Sequence, residues 1–177
     1  MKNPTTPAGE PLEIERKFLI RRPAEELLRQ HSSGWLDMEQ IYLTRRQRGE
    51  NRRIRCSVRD GEARYHYNEK IRLSSVTRIE REWEISEEEY AALRREADPE
   101  CAVITKRRWL IPHGELTLEV DVFPFWQRQA FCEAELSHEE QTVELPAWME
   151  LLREVTDEDG YTNHALARQL PLEDEEK

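Results

Sequence analysis

The sequence predicts an α+β protein, an eight-stranded antiparallel β-barrel with a few flanking helices. Three observations predict it. Most of the chain between residues 12 and 137 alternates apolar and polar side chains with period two, which suits strands rather than helices. Neighbouring alternating stretches are separated by short turn signals such as Asp60-Gly61 and His113-Gly114, which join antiparallel hairpins. The polar faces carry charges sorted by sign from strand to strand, and closing the sheet would bring those faces together around a lumen.

Residues 1–11 are polar and read as a flexible lead-in. Strands are then expected over 12–20, 40–44, 52–59, 62–72, 77–85, 102–112, 115–123 and 130–137. Pro23 opens a first helix, in which Ala24, Leu27, Leu28 and His31 recur at helical spacing. Ser86 followed by Glu89 forms a capping box for a second, running to about Ala97 with Tyr90 and Leu93 on its apolar side. Pro146 opens a third, with Trp148, Leu151, Leu152 and Val155 on one stripe, and a short fourth runs from Asn163 to Leu170. Residues 171–177 form an acidic tail. No repeat or linker divides residues 12–170, which read as one domain.

The 177 residues carry 27 Lys+Arg against 37 Asp+Glu, a net charge of −10 that argues against general nucleic-acid binding. No apolar run approaches the ~20 residues of a membrane helix, and the lead-in has no apolar stretch of the secretory kind. Cys56, Cys101 and Cys132 are odd in number and widely spaced, which fits neither a disulfide framework nor a zinc motif. A cytoplasmic location is the expectation. No Gly-rich phosphate loop and no Ser or Cys nucleophile motif is present.

The first strand sets Glu13, Glu15 and Lys17 on one face and Ile14, Phe18 and Ile20 on the other. The third gathers Arg53 and Arg55, the fourth Lys70 and Arg72, and the sixth Lys106 and Arg108. Glu119 and Asp121 share a face of the seventh strand, and Glu133 and Glu135 a face of the eighth. The fifth lines up Arg78, Glu80, Glu82 and Glu84, whose roles the pattern leaves open. Any one such strand is explained by a solvated sheet face. Several like-sign pairs on one sheet repel, however, and suggest that something outside the protein neutralises them. Carboxylate clusters want a hard divalent cation, and Arg and Lys clusters a polyanion such as phosphate. Together they describe a metal–polyphosphate site. The additional charges Arg45, Arg46, Arg48 and Arg52 are expected on the surface.

The stretch Glu13-Ile14-Glu15-Arg16-Lys17 resembles the Glu-x-Glu-x-Lys strand of the CYTH domain, or triphosphate tunnel metalloenzymes. Arg53-Ile54-Arg55, Lys70-Ile71-Arg72, the strand from Arg78 to Ile85, Lys106-Arg107-Arg108-Trp109, Glu119-Val120-Asp121 and Glu133-Ala134-Glu135 are similar to later elements in the same order. Glu154-Val155-Thr156, Tyr161 and Asn163 are similar to short bacterial members, and the likeness is nearest the inorganic triphosphatase branch. One departure is Asn68-Glu69, where an apolar residue or Thr is more usual.

The resemblance implies a tunnel that hydrolyses a linear triphosphate with divalent metal. On it, Glu13, Glu15, Glu119, Asp121, Glu133 and Glu135 would hold Mg²⁺ or Mn²⁺, two ions in all. Lys17, Arg53, Arg55, Lys70, Arg72, Arg78, Lys106 and Arg108 would bind the substrate phosphates, with Lys17, Lys106 and Tyr42 as catalytic candidates. Tyr42 reads equally well as a packed aromatic. The expected partner is a triphosphate-bearing small molecule, with a homodimer left open and neither membrane nor nucleic acid expected. Alternatives are a nucleoside or thiamine triphosphatase, a class IV-like adenylate cyclase, and a non-catalytic polyphosphate- or nucleotide-binding module. For thiamine, Trp109, Phe125 or Trp126 would grip the organic cation.

Overall fold

The computed structural model describes residues 5, 12–45, 51–74, 76–169 and 173, with Arg72 described by its backbone alone. Of the expected lead-in and tail, only Thr5 and Glu173 are among them, as are neither Arg46 nor Arg48. Glu173 accepts hydrogen bonds from the Arg128 backbone N–H at 2.8 Å and side-chain Nε–H at 3.2 Å.

The described residues form nine strands and three short α-helices. They are β1 (Leu12–Arg21), α1 (Glu25–His31), β2 (Gly34–Tyr42), β3 (Asn51–Arg59), β4 (Glu62–Arg72), β5 (Thr77–Ile85) and α2 (Glu87–Leu93). There follow β6 (Ile104–His113), β7 (Leu116–Val122), β8 (Gln129–Glu135), β9 (Leu151–Glu154) and α3 (Asn163–Arg168). The strand order is β5-β4-β3-β2-β6-β7-β8-β1-β9, and pairing of β5 with β1 closes eight of the strands into an antiparallel barrel. Asp60 and Gly61 both take positive φ, 52° and 84°, as the two-residue β3–β4 hairpin requires.

Two expectations about the elements are corrected. The helix expected from Pro146 does not form, and Leu151–Glu154 are instead the ninth strand. The cause lies in β1. Its N-terminal residues Leu12, Glu13 and Ile14 pair with β5, but the same edge farther along would be left with unpaired backbone groups. Strand β9 takes that edge, setting Phe18 opposite Glu154 and Leu19 opposite Arg153, and tertiary pairing overrides the helical spacing. The second strand covers Gly34–Tyr42 rather than 40–44, because β6 and β3 flank it over that length.

The apolar faces point outward, and short elements cover them. Leu28 of α1 and Met149 pack on Ile14, Phe18, Trp109, Ile111, Val120 and Cys132. Tyr90 of α2 closes over Ile41, Ile54 and Tyr67, and the capping box of Ser86 and Glu89 starts that helix as the sequence predicts. Arg52 is not on the surface: it is 1% exposed and donates to Tyr67 Oη at 2.7 Å, the Thr44 carbonyl at 3.1 Å and, in the turn that follows α2, Glu96 at 3.2 Å. A buried guanidinium is tolerated when its donors are spent in this way. The three cysteines are free, and no helix among the described residues is long and apolar enough to cross a membrane.

Candidate functional site

Barrel closure turns the charged faces inward around a cavity of about 1020 Å³. Period-two alternation along β1 puts Glu13, Glu15 and Lys17 on its wall, and the next residue on that face, Leu19, ends the charged zone. Leu19 joins Tyr42, Ile104, Phe123, Trp126, Phe131 and Leu166 in a packed apolar floor. The charged lumen therefore has a water-excluding base, which strengthens electrostatic interactions just above it.

Arg53, Arg55, Lys70, Arg78, Lys106, Arg108, Glu119, Glu133 and Glu135 also line the cavity, as does Tyr42. Asp121 lies behind the wall with no exposure, and Arg72 is placed only by its backbone, opposite Arg78 in the β4–β5 ladder. Glu80 and Glu82, left open by the sequence, line the cavity too. Gln40, Thr156, Asn163 and His164 do as well; the sequence marks Thr156 and Asn163 only through the resemblance, and assigns Gln40 and His164 no role. For Gln40 the signal was its parity with Tyr42. The other three sit on a segment whose folding depends on β9. Arg45 is exposed, as expected, but at the cavity mouth. The aromatics offered as a cation grip do not line the cavity: Trp109 packs outside the barrel, and Phe125 and Trp126 belong to the floor.

The ladders place like charges side by side, Glu15 opposite Glu135 and Glu119 opposite Glu133. Most of this repulsion is met from within the protein rather than from outside it. Basic and acidic side chains of adjacent or next-adjacent strands meet along the wall, so Lys70 reaches Glu13 at 2.7 Å, Arg78 reaches Glu15 at 3.4 Å and Lys17 reaches Glu133 at 2.7 Å. Arg108 sits at a three-way junction, contacting Asp121 at 2.7 Å, Glu133 at 2.6 Å and Glu119. Lys106 pairs with Asp121. Arg53 meets Glu80 at 3.3 Å, and Arg55 meets Glu82 at 2.8 Å.

The compensation is uneven. Burial, together with Glu133 and Glu13, raises the Glu15 carboxyl above the ordinary carboxylate range. Burial also raises Glu119, against the pull of Arg108. Glu135 makes no ion pair among the described residues, and desolvation plus the charges of Glu119, Glu13, Glu15 and Glu80 push it up to about 7. Glu133 is held well below its usual value: Lys17, Arg108 and Lys106 outweigh its burial. Lys106 is pushed down to about 8 by burial and then by Arg108. Tyr42 is a neutral phenol: burial lifts its hydroxyl to about 12, and it accepts a hydrogen bond from Gln40 Nε2 at 2.8 Å.

This donor set fits a hard divalent cation. It is all carboxylate oxygen, and Glu15, Glu119 and Glu135 are raised first by burial and then by the charge of neighbouring carboxylates, both of which a bound cation would offset. No ready cage of three or more ligands exists among the described residues, so the carboxylates would turn from their ion pairs to hold a metal. The basic side fits an oxyanion: Nε of both Arg53 and Arg55 is buried without a hydrogen-bond acceptor.

No family model and no curated sequence matches the chain. Solved structures do. NE1496, described once as a hypothetical protein and once as an inorganic triphosphatase, matches with TM-scores of 0.56 and 0.54 at 25% and 24% identity. Both matches span 90% of this chain, and 99% and 96% of the other. PH1819 from Pyrococcus horikoshii OT3 gives 0.57 at 22% identity, over 72% of this chain and 80% of that one. HpAC1 from Hippeastrum, an adenylyl cyclase candidate described as having a dominant triphosphatase activity, gives 0.50 at 14% identity, over 72% and 81%.

Proposed function

We propose that this barrel, a CYTH-type triphosphate tunnel by its fold, is a hydrolase that cleaves a linear triphosphate, tripolyphosphate to pyrophosphate and orthophosphate, with Mg²⁺ or Mn²⁺. The observation that carries the reading is the cavity wall, where Lys17, Arg53, Arg55, Lys70, Arg78, Lys106 and Arg108 converge on one lumen beside a bank of carboxylates. A protein of net charge −10 repels a triphosphate at long range, so such a concentration of cations in a cleft is what capture would need.

Glu13, Glu15, Glu119, Glu133 and Glu135, with Asp121 behind them, would hold two metal ions. When bound, these supply charge neutralisation at phosphate oxygens and a water of lowered pKa. The basic residues do the remaining work. Arg53 and Arg55 orient the non-reacting phosphates through their unspent N–H groups. Lys17 and Lys106, close to the apolar floor, offset charge developing on the pyrophosphate leaving group, where low dielectric makes that contribution large. Tyr42, held neutral, donates a hydrogen bond rather than acting as a base.

A second reading is favoured by one observation: the cavity continues past Tyr42 along Thr162–Gln169, where His164 stacks edge-on against Tyr42 with centroids 4.9 Å apart. That extension gives room for an organic group, as in a nucleoside or thiamine triphosphate. Product analysis by phosphorus NMR tests both. Equal orthophosphate and pyrophosphate from tripolyphosphate supports the first reading, faster orthophosphate release from ATP or thiamine triphosphate than from tripolyphosphate supports the second, and cyclic AMP from ATP would replace hydrolysis with cyclase chemistry.

A further inference from the structure

Asn68 has no solvent exposure and stands on the lumen side of β4 between Arg53 of β3 and Glu82 of β5. Its amide Nδ2 donates to Glu80 Oε1 at 2.9 Å and also to Glu82. Each carboxylate in turn holds part of the basic wall. Glu80 takes Arg53 and, at 3.2 Å, Lys70; Glu82 accepts from Arg55 at 2.9 and 2.8 Å. Glu80 and Glu82 are two residues apart on one face and repel each other. A lysine at position 68 would neutralise them, but would also compete for the carboxylates that hold the arginines. A leucine would leave the repulsion unopposed. An amide supplies two donors and no charge, so it fixes both carboxylates while each arginine keeps its Nε–H without an acceptor. Asn68 Oδ1 is likewise buried and without a partner, which is consistent with an amide turned to serve the two glutamates.

We infer that Asn68 is a positioning residue for the phosphate clamp. It acts through Glu80 and Glu82 to hold Arg53, Arg55 and Lys70 in the geometry that receives a polyphosphate. This rests on the polyphosphate reading of the cavity, and it gives a task to a residue that departs from the sequence pattern the chain resembles.

The test is calorimetric binding of tripolyphosphate in EDTA, alongside KM and kcat with Mg²⁺, for wild type, Asn68→Leu and Asn68→Ser. Asn68→Leu is expected to weaken binding and raise KM about tenfold, as for loss of hydrogen bonds to charged groups, with kcat changed less than about threefold. Asn68→Ser, which keeps one donor, falls between and serves as the readout if the leucine variant does not fold. In a Glu82→Ala background the Asn68→Leu effect shrinks to about threefold or less, because the two act in series. Unchanged binding and KM with a lowered melting temperature would overturn the inference, leaving Asn68 a packing residue while the polyphosphate reading stands. A wild-type protein that neither binds nor hydrolyses tripolyphosphate would overturn both.

Discussion

Replacing Glu135 by Gln should stabilise the metal-free protein while impairing the metal-dependent one. Glu135 lies opposite Glu15 in the β1–β8 ladder, and desolvation and four neighbouring carboxylates raise its carboxyl from 4.5 to about 7. Taken at face value, that displacement is about 3 kcal/mol of unfavourable interaction in the ionised state. Glu135 is exposed at the cavity rim, so solvent screening reduces it to about 1 kcal/mol. The sign follows from proton counting. Between about pH 4.5 and 7 the folded protein binds more protons at this group than the unfolded chain, so its contribution to stability falls as pH rises. Gln does not titrate. Glu135→Gln therefore melts with wild type near pH 4.5 and about 2–4 °C higher at pH 8, the scale of 1 kcal/mol in a chain of this size. The assay is differential scanning calorimetry in EDTA across that range, repeated with Mg²⁺, which should raise the wild-type melting temperature more than the variant's at pH 8. A variant less stable than wild type at pH 8 without metal would refute the reasoning, because it would mean that the Glu135 charge is compensated.

Three further predictions concern the basic wall. Arg55→Ala is expected to lower kcat/KM for the preferred triphosphate by roughly 10²–10³ with the fold intact, since among the described residues Arg55 makes its ion pair with Glu82. Lys17→Ala is expected to lose as much activity and some stability as well, because Glu133, 5% exposed, would lose the ion pair with Lys17 and keep the one with Arg108, with Lys106 nearby; full activity in either variant removes that residue from the mechanism. Lys106, at about 8 in the ligand-free protein, loses its charge as pH rises through 8, so kcat/KM should fall above that pH in wild type and lack this fall in Lys106→Met. Its folded-state value lies below the unfolded 10.5, so this group makes the protein more stable, not less, as pH rises through the same window.

Much of the site was legible because strand parity is a strict rule. Once Glu13, Glu15 and Lys17 share a face, closure decides that they meet Arg53, Lys70, Lys106 and Glu133. Parity says which side a residue faces but not what it meets along the wall. Like-sign strands therefore read as a demand for outside counter-ions, although Arg108 and Lys70 satisfy most of it. The segment from Pro146 to Val155 misled because the helical spacing of its four apolar residues carries no sign of the open β1 edge, on which Leu151–Glu154 pair as a strand. Arg52 shows the same limit. Nothing local distinguishes it from Arg45, and its burial comes from Glu96, 44 residues away, and Tyr67.

The activity proposed for the cavity is divalent-metal-dependent hydrolysis of a triphosphate. Its most direct test is the initial rate of phosphate release from tripolyphosphate, ATP, GTP and thiamine triphosphate, each with Mg²⁺, Mn²⁺ or EDTA. Turnover concentrated on tripolyphosphate and abolished by EDTA is the predicted result. No release from any of the four with either metal would contradict the claim, and the barrel would then be a binding module or a cyclase.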